Sequence, residues 1–396
     1  MEYKKRGKTS IKMNYMMYII LVWALLPIGA NAMTMRLQTG NDTLTEKWSL
    51  GPFLRPEGVN PVLKSCEGTE FYCPMRAKFV KWEEGDVFNP AATVKDDKIV
   101  ILYRAEDKSG TGIGKRTSRI GYAESKDGIN FLRQNVPVLY PMDDYYKDLD
   151  WTGGCEDPRV AMTEDGLYVM LYTSWNRRIP RLSVATSKDL KKWSKHGLAF
   201  AKAYNGRFAQ MASKSASLLT KVKDGRLVID KVKDKYLMYW GEYAVYAAVS
   251  DNLTDWYPVL DERGELKKIA EPRKGYFDSQ MTECGPPALR TNKGIVLLYN
   301  GKNDWGIKGD TAYHAGSYCG GQLLISNDNP YKVIGRLDEP FFVPEASFER
   351  SGQYIHGTVF LEGLVYYNQK FYLYYGCADS RVGVAVWANP SDINFK

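Results

Sequence analysis

Histidine is scarce in this chain. Three occur in 396 residues, His196, His314 and His356, and their spacing suits neither a zinc centre nor a Ser-His-Asp triad. No metal or cofactor is called for. Beyond the first 32 residues there is also no Lys/Arg block interleaved with aromatic residues, so nucleic-acid binding has little support. Helical periodicity is nearly absent. The apolar run from Tyr15 to Leu26 is too short for a membrane span. The glycines of SGTGIGKRTS (109–118) do not make a phosphate loop: Gly110 to Gly114 is one residue too short, and Lys115 is followed by Arg116. A flexible loop crossing over a site is the expected identity of that stretch.

The short apolar run fits an export signal over residues 1–32. Lys4, Lys5, Arg6, Lys8 and Lys12 precede it, and Ala30-Asn31-Ala32 supplies small residues for cleavage. Met33 follows the cut, where a lipid anchor would need cysteine. The expected product is soluble and exported, periplasmic or extracellular, with no stable membrane insertion. Removing five basic residues and one acid takes away half of the formal net charge of +8, leaving a mildly basic chain.

Of six cysteines, Cys155, Cys284, Cys319 and Cys377 stand far apart beside strand-like phrases and read as buried free thiols. Cys66 and Cys73 lie close together in a loop-like stretch and are the one pair nominated for a disulfide.

What the chain does have is a large apolar fraction, 44%, and 28 tyrosines. Flat amphipathic rings suit strands and also the stacking faces of sugar clefts. The tyrosines belong to a phrase written five times: IVILYRAE, LYVMLYTSW, KYLMYWGE, GIVLLYNGK and KFYLYYGCAD. Each is followed by a strand of alternating small or apolar residues, usually closed by a Ser/Asn-Asp turn, and each is preceded by another strand. The equivalent positions Tyr103, Tyr172, Tyr239, Tyr299 and Tyr375 recur at intervals long enough for four strands. Four-stranded antiparallel units that cannot close their own edges are stabilised by radial stacking. The predicted fold is all-β, a five-bladed β-propeller over 81–396, preceded by an arm over 33–80. A β-sandwich with long insertions is the alternative, but it does not account for the fivefold recurrence.

In a propeller the ends of the innermost strands converge on one funnel. The repeat therefore places Asn89 and Arg104 from the first unit there, Asp157 and Arg181 from the second, Lys214 and Glu242 from the third, Glu283 and Asn300 from the fourth, and Asp379 from the fifth. Apolar strands have no packing use for these groups, and an unpaired buried charge is costly. A shared polar site accounts for all of them; the other reading is a set of salt bridges plugging a pore. In WTGGCEDPRV (151–160) the glycines allow a tight entry and Pro158 fixes the exit, presenting Asp157 to the axis. Glu156 is expected to point the other way and pair with a basic neighbour. Trp175, Tyr243, Tyr313 and Tyr318 are placed near the rim, where they stack on sugar or simply pack. Carboxylates with arginines, amides and tyrosines suit glycoside cleavage, in which one acid protonates the leaving oxygen while another activates water.

FNPAA, LYRAED with SRIGYAESKDGINF, GGCEDPRV, RLSVATSKDLKKW, ECGPPALRTNKGIVLLYNGK and VFLEGLVYYNQKFYLYYGCADSRVGVA together resemble glycoside hydrolase family 130, the mannoside phosphorylases and mannosidases, from about Asp86 to Asp379. The resemblance implies a five-bladed propeller acting on β-linked manno-oligosaccharides with inversion. It implies Asp157 as general acid, acting through a sugar hydroxyl, with Asn89, Arg104 and Asp379 holding the mannose at the cleavage point. Family phosphorylases surround phosphate with basic and histidine residues. Here the third strand phrase ends in Glu242, ECGPP introduces Glu283, and a usual YHG becomes YNG at Asn300. Two carboxylates would repel a phosphate dianion, so water fits as acceptor, activated by Glu242 and Glu283. These departures resemble exported bacterial hydrolases of β-1,2-mannosides such as yeast mannan. Lys214 and Arg181 still match phosphate-side positions and keep a β-mannoside phosphorylase as the second reading. A non-catalytic sugar-binding propeller is the third.

Overall fold

The computed structural model describes residues 48–390. The expected export signal and the start of the arm lie outside the described residues. Within them the chain is all-β: its helical elements are one turn at Lys147–Asp150 and a 3-10 turn at Ser347–Glu349. No helix among the described residues is long and apolar enough to cross a membrane.

The strands pair as five antiparallel units in chain order, the first two joined into one sheet by the parallel pairing of Ser118 with Gly154 and the third and fourth into another by that of Leu219 with Ala288 and Thr220 with Leu289. The first runs through Asp86–Lys95, Lys98–Glu106, Ser118–Ser125 and Leu132–Arg133. The second comprises Gly154–Met162, Tyr168–Trp175, Pro180–Ser187 and Ser194–Leu198. In the third, Ala216–Lys223, Lys235–Trp240, Tyr246–Ser250 and Tyr257–Pro258 pair in turn. The fourth splits its first strand into Met281–Cys284 and Ala288–Thr291, then continues with Gly294–Lys302, Tyr318–Ile325 and Val333–Arg336.

The fifth unit, Val359–Tyr367, Lys370–Cys377 and Arg381–Trp387, takes its outer strand from the other end of the chain, because Leu63–Lys64 pairs with Val382 and Arg381. The described part of the 33–80 segment therefore does not stand apart from the repeat. Arg55 reinforces the join through Glu349 and Val343 O, which covers an edge that would otherwise be open.

Why these residues form these units is visible in one recurring pair. Tyr103, Tyr172, Tyr239, Tyr299 and Tyr375 each sit opposite a small residue on the next strand: Gly121, Ser183, Ala247, Gly321 and Gly383. A Cβ at Gly121 or Gly321 would come within 2.3 Å of the facing tyrosine ring. The small residue makes room for the ring. The hydroxyls then find buried acceptors, for example Glu83 for Tyr103, Asp278 for Tyr299 and Glu349 for Tyr375. Side-chain turns after the third strand repeat as well. Asp127, Asp189 and Asn252 each accept two backbone N–H groups, with Ser125, Ser187 and Ser250 closing the turn behind them.

The core divides into five apolar clusters, each shared by consecutive units. Leu102 and Met170 share the cluster of the first and second, Val184 and Met238 that of the second and third, and Leu237 and Leu297 that of the third and fourth. Leu298 and Leu373 share the cluster of the fourth and fifth, and Ile101 and Val384 that of the fifth and first. No unit buries its apolar faces by itself.

Cys155, Cys284, Cys319 and Cys377 are buried thiols. The nominated Cys66–Cys73 disulfide is not formed. Cys73 is drawn into the core, its sulfur 3.8 Å from Arg119 Nη2, while Cys66 stays partly exposed.

Candidate active site

The first strands of three units carry an extra residue. The register slips between Phe88 and Pro90, between Glu156 and Arg159, and between Leu361 and Gly363. A bulge turns a side chain out of the regular alternation, and proline beside it costs no ladder bond because it has no N–H to lose. Asn89 and Asp157 occupy two of these bulges at φ +47°, and Ser215 and Asp379 adopt similar left-handed backbone. Four non-glycine residues in so sparse a region, gathered at one place, mark a site held in shape by its surroundings. Gly154 supports it from behind: at φ +115° it brings the strand so close to Ser118 that a Cβ would lie 2.0 Å from that carbonyl oxygen.

A cavity of about 350 Å³ opens here. Its walls include Asn89, Arg104, Asp157, Lys214, Glu242, Glu283 and Asp379, so seven of the nine residues expected from the sequence meet in one place. Arg104 is the hub of one side. Its Nη1 donates to Asp157 Oδ1 at 3.0 Å, its Nη2 to Glu156 Oε1 at 2.8 Å and Glu106 Oε1 at 2.6 Å, and its Nε to Ser118 at 3.0 Å. Glu156 thus does have a basic partner, but the bulge makes it share Arg104 with Asp157 instead of facing away.

Lys214 is the hub of the other side. Its Nζ lies 3.6 Å from Asp157 Oδ2, 3.8 Å from Glu242 Oε1 and 4.0 Å from Glu283 Oε1. Ser215 donates to Glu283 Oε1 at 2.5 Å. Beneath the floor, Arg159 spans three units: Nη1 reaches Asp157 O at 3.0 Å and Glu362 Oε1 at 2.8 Å, and Nη2 reaches Cys284 O at 3.1 Å.

Electrostatics divide the acids. Burial alone would raise Asp157, but Arg104, Lys214, Arg159 and the Asn89 amide outweigh it and hold this carboxyl well below the usual range. Its neighbour Glu156 is pushed up to about 7 by burial, which outweighs Arg104, with the Asp157 charge adding to the rise. Glu283 is likewise raised to about 7 by burial, against the pull of Lys214 and with Glu242 adding repulsion. Asp379 rises to about 6, again mainly through burial. Lys214 is held charged by Glu283, Glu242 and Asp157 despite its burial.

Two expected residues lie elsewhere. Asn300 is fully buried, and its side-chain amide donates to Leu361 O and accepts from Leu361 N, so it ties the fourth unit to the fifth and does not line the cavity. Arg181 is buried beside Gln210, to which Nη1 donates at 2.9 Å, and it too is absent from the cavity wall. Of the four rim aromatics only Tyr318 lines the cavity. Trp175 is fixed to Gly114 O, and Tyr313 to Glu339. The cavity adds residues not expected. Glu106, on the same face of its strand as Arg104, accepts from Gln353 at 3.0 Å. Lys302 lies 5.0 Å from the Tyr318 ring and 5.6 Å from the Tyr354 ring. The alternation R-A-E in LYRAED was the signal for Glu106; the pairing of Lys302 with Tyr354, from different units, left none. Ile113, from the glycine-rich loop, completes the wall. Among the described residues no group of His, Cys, Asp or Glu is arranged to hold a metal ion.

Comparison with known proteins places the chain in a family. A family model for glycoside hydrolase family 130, described as β-1,4-mannooligosaccharide phosphorylase, matches residues 65–394. The chain is 33% identical to a 1,2-β-oligomannan phosphorylase of Thermoanaerobacter sp. (strain X514), over 80% of this chain and 94% of that one. It is 59% identical to a glycosyl hydrolase of known structure from Bacteroides ovatus, with a TM-score of 0.85 over 86% of this chain and 95% of that one. Another solved structure, presented under the statement that this family of mannoside phosphorylases contains glycoside hydrolases that target β-1,2 mannosidic linkages in Candida mannan, is 60% identical. It has a TM-score of 0.85 over 87% of this chain and 95% of that one. The chain belongs to glycoside hydrolase family 130, whose members act on mannosides.

Proposed function

We propose that this protein is an exported, inverting β-mannosidase that hydrolyses β-1,2-linked manno-oligosaccharides of the yeast-mannan type, and that its five units form a five-bladed β-propeller. The clusters linking each unit to the next, and the fifth back to the first, support the propeller. The substrate class comes from the family and from the relative described for β-1,2 linkages.

One observation carries the hydrolytic reading: Asp157, Glu242 and Glu283 all place a carboxylate oxygen within 4.0 Å of Lys214 Nζ. Those oxygens are therefore no more than roughly 8 Å apart, an upper limit compatible with the acid–base separation of inverting enzymes. Five carboxylates line the cavity against three cations, Arg104, Lys214 and Lys302, so a phosphate dianion meets net repulsion and water does not.

In this mechanism Asn89, Arg104 and Asp379 hold the mannose. Glu283, with a pKa near neutrality, takes the proton of the attacking water, and Glu242 orients it from the more exposed side. The acid must carry a proton, yet in the empty site Asp157 is ionised. Glu156 and Asp157 share Arg104 and titrate together, so the pair carries one proton near neutral pH. In the reactive state the proton of the pair sits on Asp157, which gives it to a sugar hydroxyl as that hydroxyl gives its own to the leaving oxygen, so the leaving sugar departs as an alcohol. Water attacks the opposite face, so the first mannose released has the α configuration. Proton NMR of the fresh product from β-1,2- and β-1,4-mannobiose tests this; β-mannose as the first product would refute inversion.

Phosphorolysis is the second reading. Arg181 favours it, a buried guanidinium whose bonded partner is the neutral Gln210 and not a carboxylate, and the curated relatives named as phosphorylases keep company with it.

A further inference from the structure

A second cavity, about 390 Å³ and slightly larger than the first, lies on the outer flank between the first and second units. One wall comes from the segment that runs beside Ser118–Ser125, where Leu139 bridges Ile120; the other comes from the hairpin ending in Ser194–Leu198. Three of its aromatic rings are fixed. The Trp193 indole donates to Leu190 O at 3.0 Å, which uses its N–H and leaves its ring to the cavity. Tyr146 lies on Gly197, where a Cβ would come within 2.8 Å of the ring, so only glycine leaves it this position. Tyr140 stands edge-on to Phe71 at 5.1 Å.

Beside the rings sits a charged pair that the active site does not use. Lys195, whose side chain is 6% exposed, reaches Asp150 at 2.7 Å and Asp144 at 3.6 Å. Asp150 accepts from one of its three N–H donors, and Asp144 lies beyond hydrogen-bond distance. Asp144 is held facing the cavity by the Tyr146 N–H at 2.8 Å and keeps acceptor capacity. Rings immobilised before any ligand arrives, next to the donors Lys191, Lys192 and Lys195 and the acceptor Asp144, match a neutral pyranose. Its C–H face packs on the rings while its hydroxyls both donate and accept. A simple anion would meet Asp144 as well as the lysines.

We propose that this cavity is a non-catalytic subsite for a mannosyl unit of a longer chain, which raises the local concentration of oligosaccharide at the catalytic cavity. The choice of sugar rests on the substrate reading above. The test uses the full chain carrying Asp157→Asn, titrated calorimetrically with β-1,2-linked mannotetraose and, separately, with inorganic phosphate. Two sugar sites are expected, the weaker one lost when Trp193→Ala and Tyr146→Ala are added. In the otherwise native enzyme these two changes should raise KM for the tetraose about three- to tenfold and leave mannobiose kinetics unchanged. A single sugar site, an unchanged KM, or phosphate heat that the two substitutions remove while sugar binding stays intact would each overturn the proposal. If instead the native enzyme cleaves no mannoside at all, the substrate reading fails with it, a result distinct from loss of the flank subsite alone.

Discussion

Asn89 donates its side-chain amide to Asp157 Oδ1 at 2.9 Å, across two bulged strands of different units, with both residues in left-handed backbone. The bond holds one carboxylate oxygen while Lys214 faces the other. Replacing Asp157 by Asn keeps the shape and removes the proton donor, so kcat should fall by about 10²- to 10⁴-fold, and because it also removes a buried charge stabilised by Arg104 and Lys214, Tm should fall as well. Steady-state kinetics with a melting curve on the same sample checks both halves.

The pH profile follows from the shifts. Glu283 must be ionised to act as base, and its pKa is about 7, so kcat/KM rises as pH increases through that value. The Glu156–Asp157 pair must hold its proton, and Glu156 is also raised to about 7, so activity falls again on the alkaline side. A bell centred near neutrality is expected. Ser215→Ala removes a bond that favours the Glu283 carboxylate and should move the acidic limb up by about one unit.

Stability runs against function at the same residue. Glu283 has a folded pKa raised above its unfolded value, so its favourable contribution is complete below the unfolded pKa and is lost as pH rises through about 7. Glu283→Gln should therefore abolish most turnover yet stabilise the protein at pH 8, by something on the order of 2–3 kcal/mol, and have little effect at pH 4. Denaturant unfolding at both pH values decides this.

Asn300→Ala separates a structural amide from a substrate contact. Both of its bonds go to the Leu361 backbone, so the variant should lose roughly 1–3 kcal/mol of stability while kcat/KM stays within about twofold. A large loss of activity in a fully folded variant would put Asn300 back in contact with the sugar.

Much of this was legible in the sequence because repetition exposes geometry. The five tyrosines were aligned from the phrase alone, and the ring over a small residue explains why the phrase recurs. Asp-Pro at 157–158 announced one special backbone position. The bulges themselves were not legible. Strict alternation sent Glu156 away from Asp157, and the extra residue brought both to Arg104. Asn300 looked like a site residue because its strand ends there, but its amide is committed to a neighbouring strand that no local pattern reveals. Glu362 and Arg159, locked beneath the floor, were hidden for the same reason: their contacts join units far apart in sequence.

The identity of the nucleophile is tested most directly by turnover of β-1,2-mannobiose in phosphate-free buffer and again with added inorganic phosphate. With carboxylates from Glu242 and Glu283 beside Lys214, free mannose should form at the same rate in both, and no mannose 1-phosphate should appear. Turnover that requires phosphate and yields mannose 1-phosphate would contradict the assignment of water as acceptor.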